Sequence, residues 1–210
     1  MLVYEDLANF FDTFEPRHHV VLFYDSEESK RRVLFPFLAD GLNRGRGVVY
    51  VYADETPEDI RRGLQAYGVD VEPNERAGNL IMPRYTEWYI ENGKVEVLKI
   101  MNHWEEAYGR FSERGLGMRV TGEVAPFFRE GKVRDLLRYE YALHKFLRTP
   151  MEAICAYGVQ TIVETGYTDM IMPLIRAHGK AIFTAEGGIM ILEPENIEAS
   201  DVERLLEIEI

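Results

Sequence analysis

Residues 19–31 read His19-Val-Val-Leu-Phe-Tyr-Asp-Ser-Glu-Glu-Ser-Lys-Arg31, and this passage decides the fold. His19 to Tyr24 is a short apolar run without clean alternation, the pattern of a strand buried on both faces. Asp25-Ser26-Glu27-Glu28 then predicts a capped, acid-rich helix start. Val33, Leu34, Phe37, Leu38 and Leu42 form the apolar stripe of that helix, and Gly45 and Gly47 mark its stop. Pro36 inside it predicts a kink or short break.

The strand–helix pattern recurs along the chain. Gly47–Ala53, Asn79–Pro83, Met118–Glu123 and Met151–Tyr157 read as further strands. Helices are expected from Thr56 to Tyr67, Val95 to Arg114, Lys132 to Leu147 and Asp169 to Ala177. Lys180–Thr184 and Gly188–Leu192 read as a terminal hairpin, with turn chemistry from Glu186-Gly187-Gly188. The alternation predicts an α/β fold of three layers, with a mainly parallel central sheet between helices. Before it, Tyr4, Leu7, Phe10, Phe11 and Phe14 at helical spacing predict an amphipathic helix that Pro16 ends. The expected organisation is therefore an N-terminal helix over 1–16, the main domain over 17–192 and an acidic segment over 193–210.

At 210 residues a single domain is the default, and its core needs no metal or disulfide staple. Cys155 is the only cysteine, so no internal disulfide forms and a reducing compartment is the simpler assumption. No apolar run reaches the length of a membrane span, and the start MLVYEDLANFF lacks a basic flank. A cytoplasmic location without membrane attachment is expected. The net charge of −12 argues against direct nucleic-acid binding. Seven acids against Arg204 in 193–210 supply half of that charge, leaving a mildly acidic body.

In a parallel sheet the ligand crevice lies beyond the carboxyl ends of the strands. That rule selects Tyr24, Asp25, Asp54, Glu55, Arg84, Tyr85, Gly122, Glu123 and Tyr157 around one mouth. Lys30 sits where the lysine of a phosphate-binding loop would, but no glycine precedes it, and Asp25, Glu27 and Glu28 would repel a triphosphate. A capped helix start with a solvent-facing lysine is the simpler reading. Asp54 and Glu55 could serve as a general base or metal ligands, or simply precede a helix. Glu123 faces either a ligand or a nearby arginine. Glu140 reads as an internal hydrogen-bonding partner and Cys155 as a small core residue. The five histidines are too scattered to propose a metal cluster from spacing, and His19, away from the expected mouth, reads as structural. Tyr85, Trp88 and Tyr89 either stack on a ligand or cover the core.

Several segments, taken in order over residues 17 to 183, resemble the MEDS domain, a sensory module of methanogen and methylotroph regulators. They are His19–Tyr24, Phe37–Leu42, Gly117–Glu123, the Tyr139-Glu140 helix, Ala153–Tyr157 and Ala177-His-Gly179. Val48–Leu64 also resembles the second strand and helix of KaiC-type RecA-like ATPases, with Asp54 and Glu55 as the matching carboxylates. The resemblance implies a RecA-like sheet with a degenerate phosphate-binding loop. It also implies a ligand set of His19, Tyr24, Arg119, Glu123, Glu140, Cys155, Tyr157 and His178, which places His19 in the site against the crevice argument.

The implied function is a non-enzymatic sensor of a hydrocarbon-like or small organic molecule, without a cofactor or metal, signalling through a regulatory partner or self-association. The alternative is a nucleotide-binding protein or ATPase using Lys30, Asp54 and Glu55. A third reading is a scaffold that docks through the Tyr4–Phe14 helix, whose apolar stripe buries on its own domain or on a second subunit.

Overall fold

The computed structural model describes residues 4, 7–17, 19–145, 148–185 and 187–193. The run that opened the argument is β1 (His19–Tyr24), buried at all six positions. Ser26 caps α2 (Glu27–Asn43) by accepting a hydrogen bond from the Ser29 amide. This helix continues unbroken through Pro36, with Phe35, Phe37 and Leu38 buried around it. Of the expected kink or short break, the break is absent, because tertiary packing on both sides of the proline outweighs the one lost backbone hydrogen bond. After β2 (Gly47–Val51), Thr56 caps α3 (Pro57–Ala66).

Short helices that carry too few residues to show a period follow where loops were expected. These are α4 (Val71–Arg76) and α5 (Tyr85–Trp88), flanking the two-residue strand β3 (Leu80–Ile81). Next come α6 (Val97–Ser112), β4 (Met118–Glu123), α7 (Ala125–Arg129), α8 (Val133–Lys145), β5 (Met151–Gly158) and α9 (Val159–Glu164). The helix expected over 169–177 splits into a 3-10 turn at Thr168–Met170 and α10 (Ile171–Ala177). Strands β6 (Lys180–Ala185) and β7 (Gly188–Leu192) pair antiparallel, as the hairpin reading requires. Glu186 in its turn, the end of the helix expected to reach Leu147, and the acidic segment beyond Glu193 lie outside the described residues.

The seven strands lie in the order β3-β2-β4-β5-β1-β6-β7, and all but β7 run parallel. β1 is therefore an interior strand, parallel to β5 on one side and β6 on the other. Because strand side chains alternate between faces, odd positions of β1 and β5 point one way and even positions the other. Val21, Phe23, Ala153, Cys155 and Tyr157 join a core with α6 and α8. Val20, Leu22, Tyr24, Ile154 and Ala156 join a second core with α2 and α3. The result is an α/β/α sandwich in which the sheet separates two interiors.

The N-terminal helix α1 (Leu7–Asp12) lies on the second interior. Leu7 and Phe11 are fully buried, and the Phe11 and Phe14 rings pack 5.3 and 5.6 Å from Phe37. Leu7, Phe11 and Phe14 of its apolar stripe thus close on its own domain, while Tyr4 and Phe10 are partly buried.

Candidate functional site

At the carboxyl edge of the sheet, the expected ligand mouth is filled by an internal ion cluster. Lys30, in the first turn of α2, is not solvent-facing but 0% exposed. Its Nζ lies 2.7 Å from Glu123 Oε1, 3.1 Å from Glu55 Oε2 and 2.5 Å from Glu27 Oε2. Tyr50 donates to Glu55 Oε2 at 2.6 Å and sits 2.7 Å from Glu123 Oε1. The other Glu123 oxygen accepts from the Ala53 and Asp54 amides at 2.8 and 2.9 Å. Burial alone would push the Lys30 ammonium toward neutrality, but Glu123 and Glu55 overcome it and raise its pKa. The Tyr24 ring lies 5.5 Å from Lys30 Nζ, and burial pushes its hydroxyl pKa up. Asp54, outside this cluster, takes a bidentate clamp from Arg129 at 2.6 and 2.7 Å.

Burial raises the Glu55 pKa and Lys30 lowers it, with help from Tyr50 and Arg31; the net displacement is below its ordinary 4.5. A depressed carboxyl contributes stability above the unfolded value, and the contribution disappears as pH falls through the folded value. Glu55→Gln should therefore cost most near neutrality, and its stability gap to the parent should narrow below pH 4.5. Urea unfolding of both proteins from pH 7 to 3 checks this; a gap independent of pH would show that the carboxylate charge contributes nothing.

Arg119 and Glu152 form a second buried pair near the amino edge. Arg119 Nε donates to Glu152 Oε2 at 2.6 Å, and Nη1 donates to Asp40 Oδ2 at 2.5 Å and to the Phe37 carbonyl at 2.9 Å. This arginine faces α2, as Glu123 does, because both occupy odd positions of β4.

The other face carries a different kind of cluster. His19 on β1, Glu140 on α8, Cys155 on β5 and His178 just after α10 are all buried, and one donor atom from each lies within 4.8 Å of the others. His19 Nε2 is 2.9 Å from Cys155 Sγ and 3.3 Å from Glu140 Oε2. Tyr157 donates to Glu140 Oε1 at 2.5 Å. His178 Nδ1 meets the Leu174 carbonyl at 2.7 Å. A carbonyl only accepts, so Nδ1 holds the proton, and the neutral ring presents a bare Nε2 lone pair 3.4 Å from Glu140 Oε2.

Burial sets the protonation of this cluster. It lowers His178 to about 4 and His19 well below its ordinary value, with His178 and His144 adding to the His19 effect. It raises Glu140 to about 7, against the opposing hydrogen bonds from Tyr157 and Cys155. The Cys155 thiol is pushed up by burial and by the Glu140 charge. Both imidazoles are thus neutral near pH 7, so their approach to Glu140 at ion-pair distance is not an ion pair. His19 Nδ1, Glu140 Oε2 and His178 Nε2 are buried without a hydrogen-bond partner.

A cavity of about 410 Å³ opens beside the cluster, lined by His19, Leu143, His144, Arg148 and Ala153 among others. A larger open groove of about 610 Å³ runs between α1 and α2 along Leu7, Phe11, Pro36 and Ala39, away from the cluster.

Five of the eight residues expected to bind ligand therefore meet: His19, Glu140, Cys155, Tyr157 and His178. Tyr24, Arg119 and Glu123 do not join them, because they lie on the α2 face of the sheet. Tyr157 was expected beside Glu123, but Glu123 pairs in register with Ala156, so Tyr157, one residue on, points to the opposite face. His19, read from the crevice rule as structural, stands inside the cluster instead. Tyr50, Glu152 and Arg129 were missed; only Tyr50, a hydroxyl within a valine-rich strand, carried any local signal. Of the aromatic trio, Tyr89 is buried against Trp104, Phe127 and Tyr139, and Trp88 packs 4.8 Å from Trp104, so both cover the core. A Cβ at position 122 would lie 1.9 Å from the Tyr89 hydroxyl, which explains the glycine before Glu123.

The family model for the MEthanogen/methylotroph, DcmR Sensory domain (MEDS) matches residues 18–178. Among curated proteins no relative matches in sequence. The fold is similar to that of a KaiC-like protein, PH0186, from the hyperthermophilic archaeon Pyrococcus horikoshii OT3. The TM-score is 0.60 at 15% identity, covering 85% of this chain and 79% of that one. It is also similar to PH0321 from Pyrococcus horikoshii, an uncharacterized protein solved with an unknown peptide. There the TM-score is 0.63 at 18% identity, covering 92% and 91% of the two chains. Both likenesses concern the fold, which is that of KaiC-like, RecA-type proteins. No helix among the described residues is long and apolar enough to cross a membrane.

Proposed function

This chain belongs to the MEDS family of sensory domains, and from that premise we propose that it recognises a small organic molecule at the cluster of His19, Glu140, Cys155, Tyr157 and His178. A sensory, regulatory role comes with the family; the ligand class and site are our reading. The observation that carries it is the set of three buried polar atoms, His19 Nδ1, Glu140 Oε2 and His178 Nε2, that lack a partner within the protein. Such atoms cost free energy unless something satisfies them. The adjoining cavity of about 410 Å³ has the size of a small-molecule site; its lining is mainly polar, with Leu143, Met151 and Ala153 as a smaller apolar wall. A compact organic molecule with a small apolar part against these three residues and polar atoms toward Arg17, His144, Arg148 and Thr149 fits that lining. Output would pass to a regulatory protein or to self-association, and the ligand moves such an equilibrium only by its difference in affinity for the two states.

A nucleoside triphosphate fits poorly. The turn from β1 to α2 contains only Asp25 and Ser26, with no glycine to expose backbone amides. Lys30 is neutralised by Glu27, Glu55 and Glu123. Phosphoryl transfer depends on positioned positive charge, which this edge lacks. We therefore read the turn as a phosphate-binding loop converted into an internal brace.

Thermal unfolding tests the reading. Short alcohols, amines or halocarbons at about 100 times their Kd should raise the melting temperature by about 5–10 °C. Tyr157→Phe should weaken that response, while ATP with magnesium leaves the parent unmoved. A magnesium-ATP-dependent rise would favour the ATPase alternative and overturn the proposal in this form.

A further inference from the structure

Among the described residues four acids are buried in the interior, and three are matched by strong cations. Glu55 and Glu123 face Lys30, and Glu152 faces Arg119 and Arg46. Glu140, at 0% exposure, has no lysine or arginine partner among the described residues, only two histidines, a thiol and a tyrosine. An interior that pairs every other acid with a strong cation leaves this one turned toward three soft or borderline donors. We infer that His19, Glu140, Cys155 and His178 form a four-coordinate site for a thiophilic divalent metal ion, with Zn²⁺ the best match.

The donor set agrees. Two neutral imidazoles, a thiolate and a carboxylate form a tetrahedral N₂SO set, and their two negative charges balance a divalent ion inside the protein. The two nitrogen–oxygen distances agree as well, within a cluster whose donor atoms all lie within 4.8 Å of one another. Bonds of about 2.0–2.1 Å to nitrogen and oxygen in a tetrahedron place those atoms about 3.3 Å apart. The two observed nitrogen–oxygen separations are 3.3 and 3.4 Å. The nitrogen–sulfur pair at 2.9 Å is a hydrogen bond, shorter than the roughly 3.6 Å expected across a metal, so Cys155 Sγ must move outward by about 0.7 Å.

The surrounding contacts are those that orient metal ligands. The Leu174 carbonyl fixes His178 with Nε2 facing inward, and the Tyr157 hydroxyl holds Glu140 Oε1 so that Oε2 faces the histidines. The unpartnered His178 Nε2 and Glu140 Oε2 are the atoms such an ion would satisfy. The cavity bordered by His19 and His144 provides access.

This site shares residues with the sensory reading but does not depend on it, since the probe is the metal alone. Chelator-treated protein titrated with Co²⁺ should develop a thiolate-to-cobalt charge-transfer band saturating at one ion per chain. Because Cys155 is the only cysteine, the band by itself reports the ligand. Zn²⁺ should displace Co²⁺ and raise the melting temperature by about 5–10 °C at 100 times its Kd. Cys155→Ser should abolish the band, and His178→Gln should weaken binding at least tenfold, while His103→Gln changes neither. Absence of the band, or saturation well below one ion per chain, would overturn the inference. So would zinc stabilisation that survives both Cys155→Ser and His178→Gln. The organic-ligand response measured on metal-free protein is read separately, so either result can fail without the other.

Discussion

Lys30→Met is expected to lower the melting temperature by about 6–20 °C, the thermal equivalent of roughly 3–5 kcal/mol for a chain of this size. The loss comes from what the lysine leaves behind. Glu123 is 1% exposed and Glu55 5%, and without Nζ both carboxylates remain buried beside the Tyr50 hydroxyl. Arg31 still reaches Glu55 at 2.6 Å, whereas Glu123 keeps only two backbone amides and competes with Glu55 for the one Tyr50 hydroxyl proton. Combining Lys30→Met with Glu123→Gln removes the stranded charge and should recover part of the loss, giving a favourable coupling in the double-mutant cycle. Chemical denaturation of the four proteins measures it. Strictly additive losses, or a single-variant loss below about 1 kcal/mol, would show that the cluster is not the brace described here. A lysine serving triphosphate would give the opposite profile, with little stability lost and nucleotide affinity lost.

Arg119→Met should cost about 3 kcal/mol, some 6–12 °C in melting temperature, for a related reason. The guanidinium is 1% exposed, pairs with Glu152 and Asp40, caps the Phe37 carbonyl and lies 4.8 Å from the Phe37 ring. Glu152 retains Arg46 at 2.9 Å, which softens the loss relative to Lys30. Arg119→Lys should recover only a fraction, because an ammonium cannot donate along three fixed directions. Since Arg119 faces α2 while the His19 cluster faces α8, the folded variant should keep its response to small organic ligands. If that response vanishes while unfolding stays cooperative, Arg119 belongs to the binding site as the family resemblance implied.

These two buried cations show where local reading ends. The strand from His19 to Tyr24 and the capped helix start were legible because each is specified within a few residues, by an unbroken apolar run and by a serine before two glutamates. The strand from Met118 to Glu123 and the terminal hairpin were legible for the same reason. The absence of glycine around Asp25 and Ser26 was equally plain and bears directly on nucleotide binding. The fate of Lys30 was not legible. A lysine in the first turn of a helix is solvated unless acids from other strands converge on it, and Glu55 and Glu123 lie 25 and 93 positions away. The same limit applied to Pro36, where the short break allowed by a rule for isolated helices yielded to packing on both flanks.

What the sequence determined alone was therefore the layered α/β architecture, the buried parallel strands and the chemistry missing from the first turn, since periodicity, capping and glycine content act over short range. Only the tertiary structure decided which polar residues meet. His19, Glu140, Cys155 and His178 are brought together by β5 lying beside β1 and by α8 and α10 packing over one face. Tyr24, Arg119 and Glu123 are kept apart from them by strand alternation. Those partnerships depend on strand order and face, which no local pattern encodes, and they separate the buried ion cluster at one edge of the sheet from the histidine-containing cluster on the other side.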